Sequence, residues 1–432
     1  MSKPSKIKSF ISALWHGITL IRLALSNILF LLLLGVIYFV YLGGGPEPLP
    51  ERAALLLNPV GTIVDQKSPV EPLSALVGEP SPADHQVLLR DVIEAIEYAE
   101  DDSAITALVM ELDSLLSASI SKSMEIGRAI ESFKRSGKPV IAVGDNFSQG
   151  QYLLASYADK IVLHPFGGVE LEGYSSYRNY YADALDKISV TMHVFKAGEH
   201  KSIAEPFLRN NMSPAEKDIT GRWLEVLWAQ FTELVEGGRD LPDGAVNDYI
   251  DNFVGALKVN GGDLARVSLE AGLVDELMGR QQANASLIEL VGGANDDGLY
   301  EAVGFERYVS RKRPMSLPGM SQNKVAVITA QGTIQNGEEP PGSIGGDSLG
   351  RLIRTTAEEE GVSAIVLRVN SGGGGVFASE VIRQEVRNAK AKGLPVVVSM
   401  GAVAASGGYY IAADADQIWA TPATITGSIG VF

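Results

Sequence analysis

The chain has 432 residues, room for two or three domains that each bury a core. Its formal net charge is −16, and an acidic body disfavours nucleic acid, whose phosphates need a Lys/Arg-rich surface. There is no cysteine, which excludes disulfides, thiolate nucleophiles and thiolate zinc sites.

Residues 1–22 carry Lys3, Lys6, Lys8 and Arg22, and no acid occurs before Glu47. Leu23–Leu42 follows as 20 uncharged residues. At about 1.5 Å per residue they span roughly 30 Å, the thickness of a bilayer's hydrocarbon core. The one-sided basic flank predicts a cytoplasmic N-terminus (1–22), a single membrane pass (23–42) and a body on the far side. Removing the four cations leaves that body at about −20. The run ends in bulky Tyr38-Phe39-Val40-Tyr41, with no small-x-small cleavage site, so the expectation is an uncleaved anchor in contact with lipid.

A Gly/Pro-rich connector is expected over 43–54, then a β-like run at Leu55–Asp65. Further on, Ser213-Pro214-Ala215-Glu216 has the form of a capping box with Pro at the first helical position. It opens a helix predicted to reach Val235, with Ile219, Trp223, Val226, Leu227 and Leu234 on the buried face. Val309–Gln322 mixes basic residues with Pro and Gly and reads as a linker, its Arg311-Lys312-Arg313 run solvated. Beyond it Val325–Ile334 opens as the earlier run does. Ile365–Val369 reads as a buried strand, Ala378–Lys392 as a helix, Leu394–Ser399 as a strand and Tyr409–Ala415 as a short helix.

The second part repeats the first. Ala107–Ser114 aligns with Ala364–Ser371, and Gly144–Pro165 with Gly401–Pro422, both 257 residues apart, with 8 identities in the 22 positions of the longer window. The alternation of strands and helices in each copy is that of an α/β domain. The first copy is expected over 55–308, the linker over 309–322 and the second copy over 323–432. Where the second copy has Ser406 the first has Gln149, and Gly372-Gly373 stand opposite Leu115-Leu116.

Ala404-Ala405-Ser406-Gly407-Gly408 lies between a strand and a helix, where small neighbours allow a sharp turn and a close substrate approach to Oγ. A tight turn with a capping serine reads equally from the local sequence. Asn370-Ser371 followed by Gly372–Gly375 can expose backbone N–H groups as an anion nest. It is no phosphate loop, because no Lys-Ser/Thr follows the glycines. All five histidines (His16, His85, His164, His193 and His200) lie before the second copy, in no triad or metal spacing. A desolvated lysine can replace a histidine base. Lys201 is the candidate, although spacing alone leaves it one lysine among many.

Taken together, the anchor, the tandem copies, Lys201-Ser202-x-x-Glu205-Pro206-Phe207, Asn370–Gly375, Ala404–Gly408 and Thr426-Gly427-Ser428-Ile429-Gly430 resemble the signal peptide peptidase A family, in its long, protease IV form. The resemblance covers essentially the whole chain. It implies tandem crotonase/Clp-protease-like α/β domains after the transmembrane helix. It also implies a Ser/Lys dyad, with Ser406 as nucleophile and Lys201 as general base, an oxyanion hole at Gly373 and Gly374, and Ser428 orienting the lysine. Neither metal nor cofactor is implied. The substrates would be short apolar peptides such as cleaved signal peptides. The place would be the bacterial inner membrane, with the catalytic body periplasmic, and the assembly a homo-oligomer, a tetramer by resemblance. Two departures stand out. Gly372 and Gly375 replace a proline and a serine of the family pattern, so a floppier oxyanion loop is expected. The first copy also runs about 135 residues past the point matching the end of the second, so the second domain is expected to be incomplete and this chain weakly active. An inactive scaffold and a crotonase-like acyl-CoA enzyme are the alternative functions.

Overall fold

The computed structural model describes residues 6–41, 48–69, 85–198, 201–314 and 323–432, in two units, Met1–Leu49 and Pro50–Phe432. Lys3, Leu42, Glu47, most of the 43–54 connector's Gly/Pro cluster, His200 and the 315–322 part of the linker lie outside the described residues. Among its described residues the first unit holds one helix, Lys6–Tyr41. Its Ala13–Tyr38 stretch holds a window of mean hydropathy 2.4, none of it buried, and its 26 residues are long and apolar enough to cross a membrane. The apolar stretch therefore reaches back past Arg22, which the sequence reading placed outside it.

In the larger unit the expected run Leu55–Asp65 divides into two strands. Ala53–Leu57 and Gly61–Val64 belong to different sheets, separated by Asn58-Pro59-Val60 and by a φ of +84° at Gly61. The second half turns the same way at Gly332 (φ +108°), between strands Lys324–Gln331 and Ile334–Gln335. Such left-handed values cost a residue with a Cβ.

Two parallel sheets organise this unit. The first runs, edge to edge, through Glu276–Leu277, Lys160–Leu163, Val140–Gly144, Ile105–Glu111, Ala53–Leu57 and Ala302–Gly304. The second runs through Lys324–Gln331, Val362–Ser371, Val396–Ala404 and Gln417–Trp419. Parallel strands need crossovers, and helices supply them. Over the second sheet, Gly346–Glu358 and Val376–Ala391 bury Ile353, Ile382 and Val386 against Ile365, Leu367 and Val398. Each such side chain fully withdrawn from water contributes about 1.5–3 kcal/mol.

A polar device recurs in both halves. The Asp159 carboxylate accepts from the Val140 N–H at 2.8 Å and pairs with Lys134 at 2.8 Å. Asp416 accepts from Val396 N–H at 2.8 Å and pairs with Lys390 at 3.2 Å. Each ties the end of a helix to the start of the next strand and to the loop before the one after.

Two expectations need correction. Val309–Lys312 is not linker but the last turn of helix Phe305–Lys312, with Val309 buried. The basic run is pinned: Arg313 pairs with Asp91 at 2.5 Å and Glu94 at 2.6 Å, and Lys312 with Asp102 at 2.7 Å. Asp91 and Glu94 lie on the acidic helix Leu89–Glu100, and Asp102 just past its end. The capped helix forms, over Pro214–Gly238, with Ser213 Oγ accepting from Glu216 N–H at 3.1 Å. Its buried residues, however, are Glu216, Thr220, Phe231, Thr232, Val235 and Glu236, while Val226 is exposed. The helix is rotated from the apolar stripe because both carboxylates find partners inside: Glu216 meets Arg178 and Thr220, and Glu236 accepts from Val246 N–H at 3.0 Å.

A buried ionic cluster joins the two halves. Asp65 pairs with Lys122 at 2.8 Å and with Arg368 at 2.9 Å, and Arg368 also reaches Glu125 at 2.6 Å and the Ser399 hydroxyl at 2.9 Å. Burial alone would raise the Asp65 carboxyl's pKa, but the Lys122 and Arg368 cations outweigh it and hold it below its ordinary value.

Candidate active site

The strand Val396–Ala404 leads straight to Ser406, where the backbone turns at φ +49°, ψ −120° into the short helix Gly407–Tyr410. A non-glycine residue at positive φ is uncommon and strained. Neighbouring bonds impose the conformation: Ser406 N–H donates to Gly427 O at 2.8 Å, and its carbonyl accepts from Tyr409 and Tyr410 N–H at 3.1 and 3.0 Å. The turn leaves Oγ without a capping bond, free to face the neighbouring segment.

That segment is Ile425–Val431. It first runs beside the serine strand, with Ile425 N–H donating to Ala402 O at 2.8 Å and Ala404 N–H to Ile425 O at 2.9 Å. It then pairs antiparallel with the first half, Ala197 and Val431 exchanging two bonds of 2.9 Å. Gly430 permits the contact, since a Cβ there would stand 2.3 Å from Ala197 O. Four residues past Ala197, Lys201 enters the site.

Lys201 is 5% exposed. Its Nζ lies 3.0 Å from Ser406 Oγ, 2.8 Å from Ser428 O and 3.3 Å from Ser428 Oγ. Nζ donates to these three oxygens; a neutral amine at the same place would donate to the two Ser428 oxygens and accept from the Ser406 hydroxyl. Burial lowers the Lys201 pKa, disfavouring the ammonium, and no carboxylate counters it. The structure thus brings together Ser406, Lys201 and Ser428, with the Ser428 carbonyl as well as its hydroxyl at the amine.

The glycine loop is arranged differently from expectation. Gly373 N–H is engaged, donating to Ser371 Oγ at 3.1 Å, and Ser371 Oγ donates in turn to Gly332 O at 2.6 Å. Gly374 N–H and Gly407 N–H have no hydrogen-bond acceptor among the described residues. The two amides are neighbours: a Cβ on Gly407 would lie 3.2 Å from Gly374 N. Gly374 (φ +155°) approaches the adjacent strand so closely that a Cβ would meet Ile334 O at 2.0 Å. Gly375 N–H to Ile334 O (2.8 Å) and Ile334 N–H to Gly373 O (3.0 Å) hold the loop on both sides. Gly407 escaped the sequence reading as a donor, although its place directly after the serine was the available signal.

Over these groups opens a cavity of about 480 Å³, walled by Val376, Tyr409, Tyr410, Ile429 and Phe432 and mostly apolar. Its size and lining suit an apolar side chain delivered to Ser406. A cleft of about 310 Å³ between Glu111, Asp145, Arg280 and Tyr300 contains no comparable nucleophile and base. His164 is used locally, stacked on Phe166 and accepting from its N–H at 3.2 Å.

Known proteins match the chain on both sides of this site. The profile of Peptidase family S49 covers residues 132–293, which include Lys201, and 388–432, which include Ser406 and Ser428. Protease 4 of Salmonella typhi is 41% identical over 99% of this chain and 69% of its own length. Protease 4 of Haemophilus influenzae is 39% identical over 97% of this chain and 69% of its own. An enoyl-CoA hydratase structure from Shewanella pealeana covers 48% of this chain and 64% of its own at 8% identity, but a TM-score of 0.23 gives that likeness no weight. The chain belongs to peptidase family S49. It is a peptidase of that family, acting on peptides.

Proposed function

We propose that the chain is a membrane-anchored serine endopeptidase working through a Ser406/Lys201 dyad. The observation that carries the reading is a buried lysine amine 3.0 Å from a serine hydroxyl at a strained strand-to-helix turn. Neutral Lys201 takes the Ser406 proton as Oγ attacks a peptide carbonyl; Lys201 then protonates the leaving amine. The Ser428 carbonyl and hydroxyl aim the amine. The oxyanion is received by the Gly374 and Gly407 N–H groups, with Gly373 held back by Ser371 to shape the loop. Water, deprotonated by the same lysine, releases the acyl group.

The apolar cavity supports short apolar peptides, such as cleaved signal peptides, as substrates. The units carrying the two groups would be crotonase/Clp-like repeats over 55–308 and 323–432, assembling as a homo-oligomer. The helix Lys6–Tyr41 would anchor the protein in a bacterial inner membrane, N-terminus inside and catalytic body periplasmic.

The test is substitution with peptide hydrolysis as readout. Ser406→Ala and Lys201→Ala should each remove nearly all activity, and the double variant should be little worse, because such groups act as a unit. Labelling by a serine-directed covalent probe should vanish in Ser406→Ala. Retention of most of kcat by Lys201→Ala refutes the dyad. A reporter fused after residue 60 should be active only when exported, and the protein should resist carbonate washing; cytoplasmic reporter activity overturns the orientation.

A further inference from the structure

The lysine turn is held at both ends, and by different halves of the molecule. Upstream, the Ala197–Val431 pairing joins it to the segment that carries Ser428. Downstream, four residues after Lys201, the Glu205 carboxylate accepts from Ser213 N–H at 3.1 Å and from Ser213 Oγ at 2.6 Å. Ser213 is the N-cap of the 25-residue helix Pro214–Gly238, and its Oγ also accepts from Glu216 N–H. Between the clamps, Glu205 N–H closes a turn onto Ser202 O at 2.9 Å, and Pro206 O accepts from Tyr181 N–H at 2.7 Å. Apolar packing is limited here: Ala204 is buried and Phe207 stacks on Tyr181, but Ile203 and Phe207 are themselves largely exposed. A turn so lightly packed depends on its polar ties.

Around Glu205, other charges are spent elsewhere. Arg178 pairs with Glu216 at 3.4 Å, and the Arg209 guanidinium donates to Asn211. The Tyr180 hydroxyl is buried without a hydrogen-bond partner. Both Glu205 oxygens are thus directed to the helix cap.

We propose that Glu205 is a positioning residue for the base: through Ser213 it fixes the Lys201 turn to the start of the long helix, so that Nζ is held against Ser406. The inference rests on Lys201 being the base. Without the clamp the turn keeps only the Ala197–Val431 pairing upstream and the Tyr181 contacts at Pro206 and Phe207, none of which fixes it to the long helix. The amine then spends time in water, where it is protonated and out of reach.

The experiment compares Glu205→Ala, Ser213→Ala, the double variant, Ser213→Thr and Lys201→Ala in the full chain, measuring kcat, KM, thermal stability and the pH profile of kcat/KM. Glu205→Ala and Ser213→Ala should each lower kcat about 10–100-fold, the scale of misplacing a catalytic group by an ångström. KM should stay within about twofold, because neither residue lines the cavity. The limb on which activity rises with pH should move to higher pH as the lysine is rehydrated, an outcome that a smaller folded fraction cannot produce. The double variant should match the worse single variant, and Ser213→Thr, which keeps the hydroxyl, should restore both kcat and limb. An unmoved limb in Glu205→Ala, with Lys201→Ala inactive, overturns the positioning of the base and leaves the dyad standing. If Glu205→Ala does not fold, the same limb in Ser213→Ala decides. An active Lys201→Ala removes the dyad and this inference together.

Discussion

The two halves build the same strand-to-helix turn and settle it in opposite ways. In the first, Ser148 sits at φ −68°, ψ 162° ahead of helix Gln149–Ala155, and its N–H donates to Gln151 Oε1 at 2.9 Å. Gln149 Oε1 accepts from the N–H groups of Glu172 and Gly173 at 3.0 and 2.8 Å, and Gln151 donates to Leu115 O at 3.0 Å. The strand Leu115–Ser117 pairs with Gly61–Val64. In the second half, Ser406 is strained and uncapped, and glycines with open N–H groups stand where that strand would be. One turn has its polar groups satisfied and an unstrained backbone. The other keeps strain, a buried amine and unspent donors in one place, the combination that the proposed chemistry would need at a cost in stability.

Reversing the strain is the sharpest test of that contrast. Ser406→Gly should abolish peptidase activity, by about 10⁴-fold or more, yet raise stability by about 1 kcal/mol, since glycine accepts the positive φ. Denaturant unfolding beside a peptidase assay measures both, and a destabilised Ser406→Gly breaks the comparison. Gly374→Ala comes next. Its Cβ would meet Ile334 O, so the loop must shift and kcat should fall about 10²–10³-fold, the scale of one lost oxyanion donor.

Asp65→Asn tests what joins the halves. Removing one partner of a buried ion pair should cost about 3 kcal/mol near neutral pH. Asp65 has a depressed pKa, so its contribution is full above the unfolded value of 3.8 and fades as pH falls through the lower folded value. Wild type and variant should therefore converge in strong acid, and a constant gap in urea unfolding across pH rejects the assignment.

For Lys201 the sign differs. Its folded pKa is depressed below 10.5, so the unfolded chain holds more protons between the two values. Stability should rise with pH across that window, kcat/KM should rise through the folded value, and Lys201→Met should flatten the stability rise. A flat wild-type kcat/KM profile from about pH 6 to 10 counts against a lysine base. The smallest effect belongs to Gln149→Ala, about 1 kcal/mol lost with kcat unchanged. A marked fall in kcat would mean that the first half's turn takes part in the chemistry.

What was legible in the sequence was local or repeated. The cap at Ser213 is set by short-range geometry, and duplication displays the strand–helix pattern twice, but the break at Gly61 that divides the run Leu55–Asp65 was not foreseen. The meeting of Lys201 with Ser406 could be named only by family resemblance, since nothing in the residues near Lys201 sets it apart from other lysines. Gly373 was read as an open donor because the Ser371 hydroxyl that occupies it is oriented by Gly332, 39 residues away. The Asp65, Lys122 and Arg368 cluster went unseen because its partners are up to 303 residues apart, and each alone reads as a solvated charge. The rotated face of the Pro214–Gly238 helix has the same origin: Glu216 and Glu236 are held inward partly by Arg178 and Val246, which lie on other segments.

The amine and hydroxyl of the site lie 205 residues apart in the chain. A ribosome adding roughly 5–20 residues per second delivers the lysine turn about 10–40 s before the serine. If the two groups form the proposed dyad, the growing polypeptide carries the base throughout that interval and no nucleophile. The proposed dyad would form only when the Ile425–Val431 segment has been made and has paired with Ala197, so cleavage would wait on that pairing. Timing of this kind would protect a newly made protease, and the chains emerging beside it, from premature cutting.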